Sequence, residues 1–305
     1  MLALVIRRII WLLPVLFFVA LITFTLMHFV PGGPWSGQKK LPDQARANLE
    51  AKYGLDKPVY EQFGQYLLNL AEGDLGSSYR QSNRPVRDIL MEQAPRTIVL
   101  GLMALIAAIV VGVSLGLLSS MRPNTLIDYA SVAFATFGAS VPSFVLGMLL
   151  LILFSAYLHW LPTGGWGTWQ QAIMPVIALS VLPAAYIARI TRASMLEVFQ
   201  QDYIRTARAK GLKENVIVLR HVVKNGLIPV LTILGPVAAA LITGSFIIEY
   251  LFSIPGIGRY FVTSIAARDY GMIMGTTLFY TTIVVLANLI VDLLYAVVDP
   301  RIKYQ

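Results

Sequence analysis

Six stretches of this chain are apolar for about the length a helix needs to cross a bilayer. They cover residues 9–30, 97–119, 131–158, 172–190, 228–251 and 274–298. Roughly 20 consecutive apolar residues span the hydrocarbon layer. Within it the backbone must satisfy its own hydrogen bonds, which leaves helices and closed barrels as the spanning structures. The sequence therefore predicts an all-α integral membrane protein with six spans. Composition agrees, with 57% of 305 residues hydrophobic and 13% charged, against roughly 45–50% and 25% in soluble domains.

The first run follows Arg7 and Arg8 and leaves through Pro31-Gly32-Gly33-Pro34-Trp35. It is longer than a signal-peptide core of about 7–15 residues and lacks a small-residue cleavage site, so it reads as a retained anchor span, 1–30. The third run is overlong and holds Val141-Pro142-Ser143. A proline removes one helical hydrogen bond, so either one kinked span or a short helix followed by a span fits.

Charge orients the spans. Proposed short inner segments hold thirteen Lys and Arg, among them Arg122, Arg189, Arg192 and the cluster from Arg205 to Lys224, against Arg259 and Arg268 outside. That asymmetry is the positive-inside pattern and places both termini in the cytoplasm. Net charge is +8, but no soluble basic domain remains to bind nucleic acid, so the charge is orientation information. Segment 31–96 is the one part able to form a small extracytoplasmic subdomain. Val59, Phe63, Tyr66, Leu67 and Leu70 recur at helical spacing there, which predicts one amphipathic helix packed on the outer face of the spans. Residues 97–305 then form a five-span core interrupted by a cytoplasmic loop, 191–227.

Cysteine is absent, which excludes disulfides and thiolate chemistry. The sequence contains no GxxxxGK[ST] phosphate cradle and no HExxH. His28, His159 and His221 are scattered and read as structural or interfacial. The chain is not expected to be an enzyme, nor to bind a cofactor or metal itself.

The loop segment Asp202–Pro229 reads DYIRTARAKGLKENVIVLRHVVKNGLIP. At about 100° per residue, Tyr203, Ile204, Ala207 and Gly211 share one face of a short helix, with Arg205, Thr206 and Arg208 beside it. Small residues on that face would allow close approach by a partner protein, and Gly211 would stop the helix. An interfacial helix holding anionic lipid through its cationic edge fits the same pattern.

That segment resembles the coupling loop of ABC importer permeases, whose core is Glu-Ala-Ala, three residues, Gly, nine residues, Ile-x-Leu-Pro. With Gly211 on the family glycine, Arg205-Thr206-Ala207 fall on Glu-Ala-Ala, His221 on Ile, Val223 on Leu and Lys224 on Pro. The form DYIRTARAKGL…RH is similar to the variant in dipeptide, oligopeptide and nickel permeases, where the loop ends RHxLPN. Here Arg220-His221-Val222-Val223-Lys224-Asn225 stands in its place. Segments 188–198, 252–258, Gly73-Asp74-Leu75-Gly76 and Asp299-Pro300-Arg301 resemble the same family. Together with His159-Trp160-Leu161-Pro162 and the long first outer loop, they look most like the B-type membrane subunits of oligopeptide permeases.

The resemblance implies a type I ABC importer permease fold. It further implies a homologous second permease subunit, two cytoplasmic ATPase subunits that bind the ATP and Mg, and an extracytoplasmic peptide-binding protein. Asp202 to Ala207 with Arg208, Lys210, Gly211, Arg220 and His221 would dock the ATPase, Arg205 and Arg208 pairing with acidic groups there or with lipid head groups. Relatives for nickel, glutathione or sugar oligomers share these motifs. A stand-alone secondary transporter or channel, or an intramembrane enzyme, is the rival class.

A few polar or flexible positions lie in or beside apolar runs. Glu249 is expected near the outer end of its run, where it caps the following turn or meets substrate or the binding protein. Pro255, Gly256 and Gly258, followed by Arg259, are expected at the outer gate. Asn288 and Asp292 are expected to fix packing of the last span. Gly112 and Gly116 form a small-xxx-small pair for close helix approach, within this subunit or against its partner. The charge asymmetry predicts that a cysteine at position 208 is labelled by an impermeant maleimide only from the cytoplasm, and one at position 80 only from outside. The opposite labelling would invert the topology.

Overall fold

A computed structural model describes residues 2–35, 43–81 and 84–298 of the chain. Its helices are α1 (Leu2–Phe29), α2 (Asp43–Lys52), α3 (Val59–Ala71), α4 (Val86–Met121), α5 (Leu126–Ser140), α6 (Ser143–Leu150), α7 (Trp169–Phe199), α8 (Asp202–Ala209), α9 (Glu214–Ile217), α10 (Val223–Gly226), α11 (Ile228–Ile242), α12 (Phe246–Leu251), α13 (Ile257–Ala267) and α14 (Tyr270–Val298). A π-helical stretch, Leu151–Tyr157, prolongs α6, and another, Val218–Val222, joins α9 to α10. The described residues hold no strand, only one bridge between Ser77 and Pro85.

Four helices are long and apolar enough to cross a membrane: Ile10–Phe29 within α1, α4, α7, and Tyr270–Ile290 within α14. Two bent pairs bring the number to as many as six. One is α5 with Ser143–Tyr157, bent by 104°, and the other is Glu214–Gly226 with α11, bent by 51°. The 131–158 run is therefore not one kinked span. Pro142 holds Val141 extended (φ −95°, ψ 120°), as the residue before a proline is held, and the chain restarts as α6 in a new direction. The 228–251 expectation is corrected too. α11 ends at Ile242, Gly244 turns the chain with φ +81°, and Ser245 caps a separate α12 by accepting the N–H of Ile248.

The chain divides into two compact units. The first comprises residues up to Thr97 with Pro255–Leu289. There Phe63, Tyr66 and Leu70 of α3 pack on a core of Ala20, Phe24, Met27, Ile273, Met274 and Leu278 from α1 and α14. Asp269, 2% exposed, ties residues 78–80 to the start of α14. Its carboxylate accepts Ser78 Oγ (2.5 Å), the Tyr79 N–H (3.0 Å) and the Met272 N–H (3.3 Å). Burial, and then the Asp269 charge, pushes the Tyr79 and Tyr53 phenols above their usual range. Arg80 donates to the carbonyls of Ala267 and Pro34, so exposed Glu72 serves better than position 80 for outside labelling.

The second unit comprises Ile98–Ile254 with the end of α14. Glycines set its helix spacing. A Cβ on Gly112 would lie 2.7 Å from the Ala184 carbonyl oxygen, and one on Gly116 would lie 2.5 Å from Thr191 Cβ. The small pair thus seats α4 against α7 of the same chain. Gly138 of α5 meets Ala185 and Val181 of α7 in the same way. Around these approaches lie Leu100, Ala104, Met174, Ala178, Ile248, Phe252 and Ile254 toward one end, and Ala108, Ala184, Ile187 and Val230 further along. Overpacking a close contact costs about 1–3 kcal/mol or more. Gly116→Leu is expected to lower the unfolding midpoint in detergent by several degrees, whereas Gly64→Ala, with open space around its Cβ, leaves it unchanged.

Candidate functional site

α8 leaves the end of α7 through Gln200 and Gln201 and forms a hairpin with the arm 214–226. Asp202 stands in its first turn and Arg208 in its last, each at the helix end whose partial charge it complements. Gly211, at φ +74°, takes the left-handed turn that ends it. Its Cβ position faces open space, so backbone geometry rather than crowding demands glycine there.

Ile204 and Ala207 are buried, packed with Met195, Ile217 and Val222. The expectation that Ala207 offers a small face to a partner is thereby corrected, because this chain's own core occupies that face. The outer edge is the polar side: Asp202, Tyr203, Arg205, Thr206, Lys210 and Gly211 are exposed. Arg208 is engaged within the hairpin, donating to both oxygens of Glu214 (Nη2–Oε1 2.6 Å, Nε–Oε2 3.2 Å). Its guanidinium also lies 5.9 Å from the centre of the Phe199 ring. Arg205 reaches Asp202 at 3.5 Å in full solvent, an arrangement that stabilises little. Asn225 donates to the Tyr203 hydroxyl at 3.0 Å, closing the hairpin.

Arg220 is exposed and His221 half-buried on the π-helical turn of the arm. Lys224, where the family pattern has proline, continues the helix. The chain bends instead around Leu227–Ile228, just before Pro229.

The loop's anchorage includes residues that pattern reading passed over. Asp128, at the start of α5, has a side chain only 3% exposed. Its Oδ1 accepts Arg192 Nε (2.6 Å) and Ser119 Oγ (2.5 Å); its Oδ2 accepts Arg192 Nη2 (2.8 Å) and the Asn124 N–H (2.9 Å). The clamp fixes the end of α4, the start of α5 and the inner part of α7, one turn before Met195. One sequence signal pointed to it. Asp128 is the only acidic residue between positions 98 and 196.

The outer residues are placed differently from the expectation of a contact surface. Glu249 is wholly buried in α12, and its backbone carbonyl accepts the N–H of Ile254 at 2.9 Å. Gly256 and Gly258 are buried, Pro255 is half-buried and Arg259 is exposed. Arg96 Nη1 donates to the Pro255 carbonyl (3.2 Å) and Thr97 Oγ1 accepts the Ile257 N–H (3.0 Å), so the second half of the turn is held from α4. Its first half is held by Gly165, whose N–H reaches the Phe252 carbonyl at 2.8 Å. Asn288 is half-buried in α14. The Asp292 side chain and the segment 299–301 lie outside the described residues.

Among the described residues no three His, Cys, Asp or Glu side chains gather as metal ligands. What the hairpin offers is a rigid lever with a polar outer edge. Comparison with known proteins identifies its class. A family model described as "Binding-protein-dependent transport system inner membrane component" matches residues 108–304, and one for the N-terminal part of such components matches 1–101. The chain belongs to this family of transport-system membrane components. As a family member it is a multi-pass protein of the inner membrane.

The component is 42% identical over 306 residues to the oligopeptide transport system permease protein OppB of Haemophilus influenzae and 43% identical to OppB of Escherichia coli, with both chains wholly covered each time. It is 44% identical to the dipeptide transport system permease protein DppB of Lactococcus lactis, over 98% of each chain. Among solved structures it resembles the MetNI methionine ABC transporter in an inward-facing conformation, with TM-score 0.56 and 20% identity over 69% of this chain and 96% of that one. An amino acid ABC transporter matches with TM-score 0.52 and 16% identity over 71% and 95%. At these identities the structures establish the fold, that of ABC importer membrane subunits.

Removing one partner from a charged hydrogen bond costs about 1.5–3 kcal/mol. Asp128→Asn and Arg192→Gln are each expected to lower the detergent unfolding midpoint, and the double variant to lose less than their sum. Strict additivity would mean that the pair does not couple.

Proposed function

We propose that this chain forms half of the translocation pathway of an ATP-driven peptide importer. A homologous permease chain supplies the other half, and two cytoplasmic ATPase subunits, which bind the ATP and Mg, seat on α8. An extracytoplasmic binding protein delivers the substrate, oligopeptides foremost. Both termini lie in the cytoplasm. The single observation carrying this reading is full-length identity above 40% to oligopeptide permease proteins, on a chain whose cytoplasmic hairpin is built as a lever. ATP-driven closure of the ATPase pair would displace α8, and α7 and α11 would move with it, because Ile204 and Ala207 share one core with Met195 and Val222.

The outer edge of α8 is read as the ATPase-facing surface: Asp202, Tyr203, Arg205, Thr206, Lys210 and Gly211, with Arg220 and His221 on the arm. Of the outer set, exposed Arg259 is left to meet the binding protein, with Glu249, Gly256 and Gly258 holding the turn from within. Nickel, glutathione or sugar oligomers on the same architecture form the alternative.

Deletion of the gene is expected to abolish uptake of labelled tri- to pentapeptides, and the wild-type gene to restore it. Uptake of nickel lost in place of peptides would reassign the substrate. In the same strain Gly211→Asn, a residue that tolerates positive φ, should restore transport and co-purification of the ATPase. Gly211→Trp adds bulk on the outer edge and should restore neither. ATPase recovered at wild-type yield with the tryptophan variant would remove α8 from the interface.

A further inference from the structure

Within the second unit, α5, α6, α7 and α11 enclose an open concavity of about 360 Å³. Its walls are mainly apolar, with Ser143, Leu179, Pro183 and Val237 among the lining residues, and Tyr186 and Arg189 of α7 stand at one end. Tyr186 is half exposed and Arg189 exposed. Among the described residues Arg189 makes no hydrogen bond or ion pair, in contrast to Arg192 one turn later, which is clamped on Asp128.

Two physical points favour water over lipid tails in this hollow. Pro183 has no N–H to give the carbonyl of Leu179, its helical partner four residues earlier, and both residues line the hollow. A carbonyl at membrane depth without a helical donor is tolerated where protein or water can reach it. Arg189 is a permanent cation at the end of the 172–190 apolar run, one turn before the Asp128-clamped Arg192, and its charge stands against the apolar walls of the hollow, where water can solvate it.

We propose that this concavity is a substrate subsite of the translocation path, in which Arg189 receives the C-terminal carboxylate of a passing peptide. The inference rests on the peptide-importer reading and deepens it. A guanidinium matches a carboxylate with two parallel N–H···O bonds. The terminal carboxylate is the anionic group that every free linear peptide carries whatever its side chains. The apolar walls around it accept side chains without selecting among them, and the Tyr186 ring and hydroxyl offer both an apolar face and a polar tip.

The test uses the complete complex in proteoliposomes, with saturating binding protein preloaded with a labelled tripeptide or with the same tripeptide carrying a C-terminal amide. Wild type is expected to import the acid at least tenfold faster than the amide. Arg189→Gln should bring the ratio near one by slowing the acid, Arg189→Lys should keep most of the preference, and Arg189→Glu should favour the amide. An Arg189→Gln ratio equal to that of wild type overturns the assignment. So does an effect of the substitution that disappears in vesicles made only of zwitterionic lipid, which would make Arg189 an anchor for anionic head groups. Yield of assembled complex after affinity purification separates loss of folding from loss of selectivity, and retention of the preference by Arg189→Lys supports the carboxylate role. Wild-type vesicles that import neither form would overturn the peptide reading itself, and this inference with it.

Discussion

A helix of eight residues has almost no stability of its own in water, since nucleation is unfavourable and few hydrogen bonds follow it. α8 exists because Ile204 and Ala207 are sunk into a core that the rest of the loop completes. The same burial makes it useful. Met195 is fully buried at that core, and a Cβ on Gly226 would lie 2.6 Å from its sulfur, so α7, α8 and the arm leading into α11 meet at one residue. The core under α8 is thus continuous with α7 and with the arm that leads into α11. Asp128 and Arg192 tie the adjacent turn of α7 to the end of α4 and the start of α5.

In lipid the apolar runs gain nothing by leaving water a second time, so helix association depends on close approach and dispersion. This explains why glycines at 112, 116 and 138 sit where a Cβ would strike α7. The polar clamp on Asp128 lies at the end of α4 and the start of α5, where Arg192 remains a third exposed and desolvation is cheaper than at the bilayer centre. Deep packing is thus set by shape and the ends by charge.

Much of this was legible in the sequence. The apolar runs marked the helices, and the period of Tyr203, Ile204 and Ala207 with Gly211 marked the limits of α8. Period alone tells which residues share a face, not whether that face meets the chain's own core or a partner. For Ala207 the answer depended on Met195 and Val222, which no local pattern connects to it. Arg192 counted as orientation charge because its partner lies 64 residues away. Pro142 signalled a break, but hydropathy carries no direction, so a bend of 104° could not be read from it. Glu249 could be read as a cap on the turn or as a contact for substrate or the binding protein, because its burial in α12 comes from distant elements.

The hairpin's internal pairing also changes which charges can act at a distance. Arg208 is held by Glu214 and Arg205 stands beside Asp202, so the two arginines that best matched a docking role already share their charge with neighbours. Lys210, Lys213 and Arg220 make no ion pair among the described residues. At physiological ionic strength charges act over about 8 Å, so these three and exposed Lys224, more than the paired Arg208, set the potential around the hairpin. The bidentate Arg208–Glu214 pair braces the hairpin, while the unpaired cations keep their fields. A guanidinium fixed in a bidentate pair is rigid but largely neutralised, while an unpaired ammonium or guanidinium keeps its field and gives little stiffness.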